Sequence, residues 1–323
     1  MPGAVFVREN GGPEVLRLEE HDPGAPGSGE VRVRIAAAGV NFIDVYMRTG
    51  LYPRPLPFVL GLEGAGLVEA VGAGVQGLSE GDRVAWSSVA GSYAAVVLAP
   101  ASSLVRVPEG MSDETAAAVM LQGMTAHYLV HGTRETRPGD TALVHAAAGG
   151  TGLLLVQTLK HAGATVFGTC STEEKAKLAR EAGCDHVIRY TEQDVVEEVR
   201  GRTDGRGVDV VYDSVGQATI DASLRSIRVR GLLVLFGQSS GVVPPIEPYR
   251  LNILGSLFLT RPTLAHYTAT REELELRAGA VLGGVADGSL HVYIGARYTL
   301  DRVADAHRAL EGRVTTGKLL LIP

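Results

Sequence analysis

One stretch near the middle of the chain limits its fold more than any other: Leu143-Val144-His145-Ala146-Ala147-Ala148-Gly149-Gly150-Thr151-Gly152-Leu153. It reads as an apolar strand, a turn of small residues and the start of an apolar helix. The spacing Ala146-x-x-Gly149-x-x-Gly152 is a variant of the dinucleotide-binding fingerprint, with Ala in place of the first Gly. Ala146 allows a tight turn. Gly149 and Gly150 let backbone approach a pyrophosphate. Gly152 lets the helix lie against the strand and aim its positive end at the phosphates. A tight strand-to-helix turn that binds nothing would use the same glycines. The context favours binding, because this is the first of several strands that alternate with helices from residue 141 to 258.

The strands are expected at 141–145, 165–169, 186–188, 208–212, 232–236 and 255–259. Helices are expected at 153–162, 173–182, 194–203 and 219–226. Alternation of this kind predicts a parallel sheet covered on both faces. The first 110 or so residues have another texture. Residues 31–35 alternate apolar and charged like a half-buried strand, 66–72 form a glycine-bounded strand, and Gly81-Asp82 turns into a third. Pro and Gly clusters punctuate this part and suggest a small irregular barrel. Ser112 is placed to cap an Ala-rich helix running to about Val130. The tail is mixed: helices at Arg271–Ala286 and 302–311, then an apolar strand at Lys318–Ile322. No internal repeat or low-complexity segment is evident.

With 323 residues, about two domains are expected, each with enough chain for a core. Apolar residues make up 45% and charged residues 20%, which excludes disorder, collagen and coiled coil. Thirty basic against 36 acidic residues leave a net charge of −6, which argues against a dedicated nucleic-acid binder. Two cysteines, Cys170 and Cys184, are too few for a disulfide framework or a cysteine-rich zinc site. Stretches 84–105, 115–133 and 141–159 lack charge but are broken by Gly, Pro, Ser, Gln or His, so they read as buried core and not as membrane spans. The start meets Arg8 at once and then Gly11-Gly12-Pro13, so no secretory leader is expected and a cytoplasmic protein is.

The end of the second strand of the alternating region bears on the choice between NAD and NADP. NAD wants an acid there for the ribose hydroxyls. The chain reads Gly168-Thr169-Cys170-Ser171-Thr172, without one. Ser171 can donate to a phosphate, Lys175 follows one helical turn later, and Tyr190 after the third strand adds a hydroxyl. Each has a plainer reading. Ser171 and Glu174 fit a capping box, Lys175 a solvated helix lysine, Tyr190 a surface tyrosine. Together they favour NADP.

These residues resemble the zeta-crystallin and quinone oxidoreductase branch of the medium-chain dehydrogenase/reductase superfamily, and among it the bacterial NADPH:quinone reductases. The likeness rests on Gly139-Asp140, Leu143, Ala147-Ala148-Gly149-Gly150-x-Gly152, Gln157 and Lys160. It continues in Asn41-Phe42-Ile43-Asp44-Val45-Tyr46-x-x-x-Gly50-Leu51-Tyr52, in Tyr212-Asp213-Ser214-Val215-Gly216, in Phe236-Gly237-Gln238-Ser239-Ser240-Gly241 and in Thr260-Arg261-Pro262. It spans essentially the full chain. The resemblance implies an α/β architecture: a GroES-like β-rich catalytic domain at 1–122 and 261–323, and a Rossmann doubly wound parallel-sheet domain at 123–260. It implies a homodimer joined through the Rossmann sheets. It implies cofactor contacts at Asn41, Phe42, Asp44, Tyr46 and Tyr128, and at Ala148, Gly149, Gly150, Thr151, Gly152 and Leu153. Further contacts follow at Gly168, Thr169, Ser171, Lys175 and Tyr190, and at Gly216, Phe236, Gly237, Gln238, Ser239 and Arg313.

Zinc alcohol dehydrogenases of this superfamily carry Gly-His-Glu where this chain has Gly61-Leu62-Glu63, and a Cys near Val40 that is missing here. Leu62 cannot ligate zinc, the nine His are scattered, and the four-Cys lobe is gone, so a zinc-free site is expected. Glu63 reads best as a structural carboxylate paired with a nearby Arg or with backbone. Without a Lewis acid, a simple ketone lacks its electrophile, whereas a quinone or an α,β-unsaturated carbonyl spreads the charge it gains. A few donors should suffice, and Asn41, Tyr46, Tyr52 and Arg261 are the candidates. Their plainer readings are a cap for Asn41, packing for the two tyrosines and a brace for Arg261. Ser214 does not sit in a nucleophile elbow, and Cys170 reads as a small filler. The expectation is NADPH-dependent, zinc-independent quinone reduction, with the nicotinamide in the interdomain cleft next to Asn41, Tyr46 and Tyr52. The alternatives are an NADPH-dependent enone or alkenal reductase and a non-enzymatic NADPH-binding protein of crystallin-like or RNA-binding type.

Overall fold

The computed structural model describes residues 2–323. In chain order the N-terminal elements are β1 (Gly3–Val7), β2 (Leu16–Glu20), β3 (Glu30–Val40), α1 (Phe42–Arg48), β4 (Phe58–Val59), β5 (Glu63–Val71), β6 (Arg83–Trp86), β7 (Val96–Pro100), β8 (Val105–Arg106) and α2 (Asp113–Tyr128). There follow β9 (Thr141–Val144), α3 (Gly150–His161), β10 (Thr165–Cys170), α4 (Glu173–Glu181), β11 (His186–Arg189), α5 (Val195–Gly201), β12 (Val208–Asp213), α6 (Ile220–Ser226), β13 (Ile227–Leu235), α7 (Pro248–Ile253), β14 (Phe258–Thr260) and α8 (Leu264–Tyr267). The tail holds α9 (Arg271–Ala286), β15 (Ile294–Thr299), α10 (Val303–Glu311) and β16 (Lys318–Ile322).

The chain divides into two units. The first comprises the residues up to Met124 together with Thr268–Pro323, and the second is Thr125–Tyr267. These limits differ by a few residues from 122/123 and 260/261, and they put Arg261 and α8 in the second unit.

The first unit holds a seven-stranded sheet of order β15-β16-β3-β5-β6-β8, with β7 paired to β3, and a three-stranded sheet of order β2-β1-β4. β16, from the far end of the chain, lies antiparallel beside β3, with Leu320 opposite Gly39. Trp86, Tyr93, Leu60, Val33 and Leu321 are among its buried core. α2 starts where Ser112 Oγ accepts the Thr115 N–H at 3.1 Å, with Asp113 and Glu114 at its positive end. Its α-helical part stops at Tyr128 and gives way to a π turn over Leu129–Thr133.

The second unit is a six-stranded parallel sheet of order β11-β10-β9-β12-β13-β14. Its order reverses beside β9, the first strand, where open α/β sheets hold ligands outside their carboxyl ends. All six residues of β12 are buried, as a strand covered on both faces requires. The strand expected at 255–259 is displaced to β14. Gly255 at φ 118° and Ser256 at φ 55° lie in the left-handed region, which extended backbone cannot use. The Ser171 cap is also corrected. Thr172 caps α4, its Oγ1 accepting the Lys175 N–H at 3.3 Å.

Candidate functional site

The glycine turn after β9 has the geometry a pyrophosphate needs. Ala146 sits at φ 54°, in the left-handed region where the fingerprint elsewhere uses glycine. Ala147 N–H is held by the Thr169 carbonyl at 3.0 Å. A Cβ on Gly152 would run into the carbonyl of Ala146 and the backbone of Ala147, so only glycine lets α3 lie so close to the strand. A Cβ on Gly149 would meet only the Ala146 oxygen, at 3.3 Å, so the space beyond Gly149 is open. Gly149 caps α3 without a side-chain bond, and the first turn carries no acid. The positive end of this twelve-residue helix is therefore left for an anion. Gly149, Gly150 and Thr151 are half-buried, while Ala148, Gly152 and Leu153 lie beneath them.

Ser171 follows β10, Tyr190 follows β11, and Lys175 lies in the first turn of α4. Tyr190 N–H donates to the Cys170 carbonyl at 3.1 Å, and the Thr191 hydroxyl to the Ser171 carbonyl at 3.1 Å. Ser171 precedes the cap, so its hydroxyl is not spent on α4. Glu173, the first acid after β10, has its carboxylate drawn to Arg180 at 2.7 Å. Burial pushes the Cys170 thiol up, as expected of a filler. Gly168 and Thr169 have inward tasks. A Cβ on Gly168 would meet the Cys184 sulfur at 2.7 Å, and the Thr169 hydroxyl accepts the Ala146 N–H at 3.3 Å.

Two further loops close this side of the sheet. Asp213 accepts the N–H groups of Val215 at 2.8 Å and Gly216 at 2.9 Å. Gly216, at φ 87°, packs under Gln238, and Gly237 packs on the Ser214 backbone, so a side chain on either would part the loops. Phe236, Gln238 and Ser239 remain half-buried. Also in this unit, Tyr128 stacks on Tyr267 with ring centroids 4.4 Å apart and planes 10° from parallel. Burial pushes the Tyr128 hydroxyl up, and the Arg261 charge acts against this. Arg261 donates to the Pro262 carbonyl at 3.3 Å.

In the first unit, Asn41, Phe42, Tyr46 and Tyr52 gather around α1. Tyr46 lies 5.1 Å from Tyr52 and 6.2 Å from Phe42, centroid to centroid. Arg313, at φ 56°, belongs to the loop before β16. Asn41 is buried beneath α1. Its amide donates to Glu63 at 2.7 Å and to the Gly39 carbonyl at 3.3 Å. Its oxygen accepts from Lys318 at 2.8 Å and from Gln122 at 3.3 Å. Glu63 also takes the Leu121 N–H at 2.6 Å and pairs with Lys318. The cation on Glu63 is thus a lysine from β16 and not an arginine, while the backbone half of the expectation is present. Gly39 lacks a side chain because a Cβ would run into Glu63 and Lys318.

Asp44, expected at the cofactor, is fully buried and its side chain has another task. It accepts the Asn41 N–H at 2.8 Å, fixing the start of α1, and the Tyr93 hydroxyl at 2.8 Å. Burial pushes its pKa up to about 7. Behind Tyr93 stand His307, Arg48 and Glu311. Arg48 donates to His307 Nδ1 at 3.0 Å and pairs with both Glu311 oxygens. Sequence reasoning missed Lys318, Gln122 and His307. Lys318, a lone charge heading an otherwise apolar strand, was the one with a signal.

The alcohol dehydrogenase GroES-like domain family matches residues 27–109, and the zinc-binding dehydrogenase family matches 150–275. A quinone oxidoreductase of Pseudomonas aeruginosa is 46% identical, covering 97% of each chain. The chain belongs to the zinc-free quinone oxidoreductase branch of the medium-chain dehydrogenase/reductase superfamily. Another relative of this quinone oxidoreductase-type chain is the 2-haloacrylate reductase of a Burkholderia species, 44% identical over 99% of this chain and 98% of the other. The crystal structure of Escherichia coli quinone oxidoreductase complexed with NADPH superposes with a TM-score of 0.97, at 43% identity, covering 99% of this chain and 100% of that one.

One of the matching family names implies zinc, and the donors do not fit it. Leu62 packs on the apolar core, Asn41 and Glu63 are spent on each other and on Lys318, and no group of three or more His, Cys, Asp or Glu stands ready among the described residues.

Proposed function

We propose that this chain reduces quinones with NADPH and without a metal. One observation carries the reading. Where a catalytic metal would need its donors, the first unit holds a closed amide–carboxylate–ammonium cluster of Asn41, Glu63 and Lys318. The acceptor must therefore carry its own developing charge, as a quinone does. NADPH fits the second unit. The uncapped, acid-free start of α3 suits the pyrophosphate, and Ser171, Lys175 and Tyr190 suit a ribose phosphate. When bound, NADPH supplies the hydride. The nicotinamide is assigned to the residues around α1, beside Asn41, Tyr46 and Tyr52. Tyr46 and Tyr52 donate to the acceptor carbonyl, and Asn41, with both amide hydrogens engaged, positions α1 beneath them.

The protein is further proposed to be a homodimer that joins the free edge of β14 to its copy. Phe258 is 62% exposed there, with Val229 at 64% on the neighbouring β13 and Ile253 at 66% at the end of α7. No helix among the described residues is long and apolar enough to cross a membrane. Two buried free cysteines suit the reducing cytoplasm, where we place the protein.

The test is NADPH oxidation with a simple quinone, run beside NADH and repeated with a chelator. Chelator-insensitive, NADPH-selective turnover is expected. Bound NADPH without quinone turnover would overturn the acceptor. The relative named for 2-haloacrylate favours, as the second reading, an activated alkene next to a carbonyl.

A further inference from the structure

The second unit contains a chain of buried polar groups that no step of hydride transfer uses. It runs from the glycine turn after β9 to the loop after β12. Ser223 Oγ donates to Asp213 at 2.6 Å, so its lone pair faces His145 Nε2, 3.0 Å away. His145 therefore carries its proton on Nε2. Its Nδ1, 3.1 Å from Thr169 Oγ1, accepts the Thr169 hydroxyl. The Thr169 oxygen in turn receives the N–H of Ala146, the residue held at φ 54°. Every donor in this series points the same way, from Ala146 to Asp213. All four side chains, Thr169, His145, Ser223 and Asp213, are buried. Burial lowers the His145 pKa, with Asp213 acting against it, so the ring stays neutral and the direction of the series holds at neutral pH.

We infer that His145 is a positioning residue for the dinucleotide site. Through Thr169 it holds Ala146 in the left-handed turn, and through Ser223 it ties that turn to Asp213, whose other oxygen fastens Val215 and Gly216. Two phosphate-side loops on different strands are thereby set by one hydrogen-bond series. A lone histidine closing an apolar strand could equally be a core residue that fills space. The unbroken donor order and the strained residue at its end distinguish the two. The inference rests on the NADPH reading above and not on the identity of the acceptor.

The experiment uses Thr169→Val, which keeps the shape and loses the hydroxyl, Thr169→Ser, which keeps it, Ser223→Ala, and the Thr169→Val/Ser223→Ala double variant. NADPH affinity is read by nucleotide fluorescence, kcat at saturating NADPH with a quinone, and folding by thermal melting. Thr169→Val and Ser223→Ala are each expected to weaken NADPH binding about five- to tenfold, and Ser223→Ala, which lies outside the named cofactor contacts, to leave kcat within about twofold. Thr169→Ser should restore binding, and the double variant should bind no worse than the weaker single one. Unchanged NADPH affinity with a lowered melting temperature, or strictly additive effects, would overturn the relay. Should Ser223→Ala fail to fold, the Thr169→Val and Thr169→Ser pair decides alone. Wild-type protein that takes up no NADPH overturns the cofactor reading instead.

Discussion

Lys318 and Glu63 meet with almost no exposure to water, so each depends on the other. Removing one charge strands its partner, whereas removing both leaves a neutral site. Lys318→Met is therefore expected to lower the unfolding free energy by about 3 kcal/mol, and Glu63→Gln on the same background to recover part of it. Urea titration of the three proteins checks this, and a double variant worse than the single one would count against it. Asp44 and His307 make stability depend on pH in opposite senses. Asp44 titrates at about 7 when folded and near 3.9 when unfolded, so the native state binds its proton more tightly. Its contribution is full below about pH 4 and is lost as the pH rises to about 7. Burial pushes His307 down to about 3, with Arg48 adding to the effect, so its contribution is full above about pH 6.5 and is lost as the pH falls. Asp44→Asn removes the first and leaves the second. Its melting temperature should climb more steeply between pH 4.5 and 6.5 than that of wild type, and equal slopes would refute the assignment.

At the level of elements, the glycine turn and α3 act as one piece. Gly152→Ala forces the helix off the Ala146 carbonyl, at a cost of about 2 kcal/mol and with weakened NADPH binding. Ala146→Gly, by contrast, relieves a left-handed alanine and should bind as wild type does. Melting curves and nucleotide titration of both variants separate the two effects. On α4, Lys175→Ala is expected to cut the preference for NADPH over NADH about tenfold, seen in the ratio of kcat/KM values. Elements like these were legible because their signals are local. The α9 and β16 limits coincide with the charged helix and the apolar strand expected there, and the Ser112 cap needed only its own next turn. The Asn41 cluster was not legible. Its partners stand 22 residues away at Glu63 and 277 away at Lys318, and no periodicity carries information over such a distance. The Ser171 cap failed for a smaller reason, two adjacent hydroxyl residues competing for one helix start.

For the whole molecule, the exposed β14 edge is where self-association is expected. Phe258→Lys places a charge on an edge strand and should yield monomers in sedimentation velocity, with the fold unchanged by circular dichroism. A wild-type protein that already sediments as a monomer would remove that proposal. β16 has a different consequence, in the order of synthesis. It lies between β15 and β3, and it brings the cation for a carboxylate emerging 255 residues earlier. On the ribosome the nascent N-terminal portion must wait with the Ala38–Val40 end of β3 lacking its β16 partner and Glu63 lacking its ammonium. The Thr125–Tyr267 unit carries its whole sheet within itself and can settle in the meantime. Nascent chains arrested before residue 318 should accordingly protect the second unit from protease while leaving the first one cleavable.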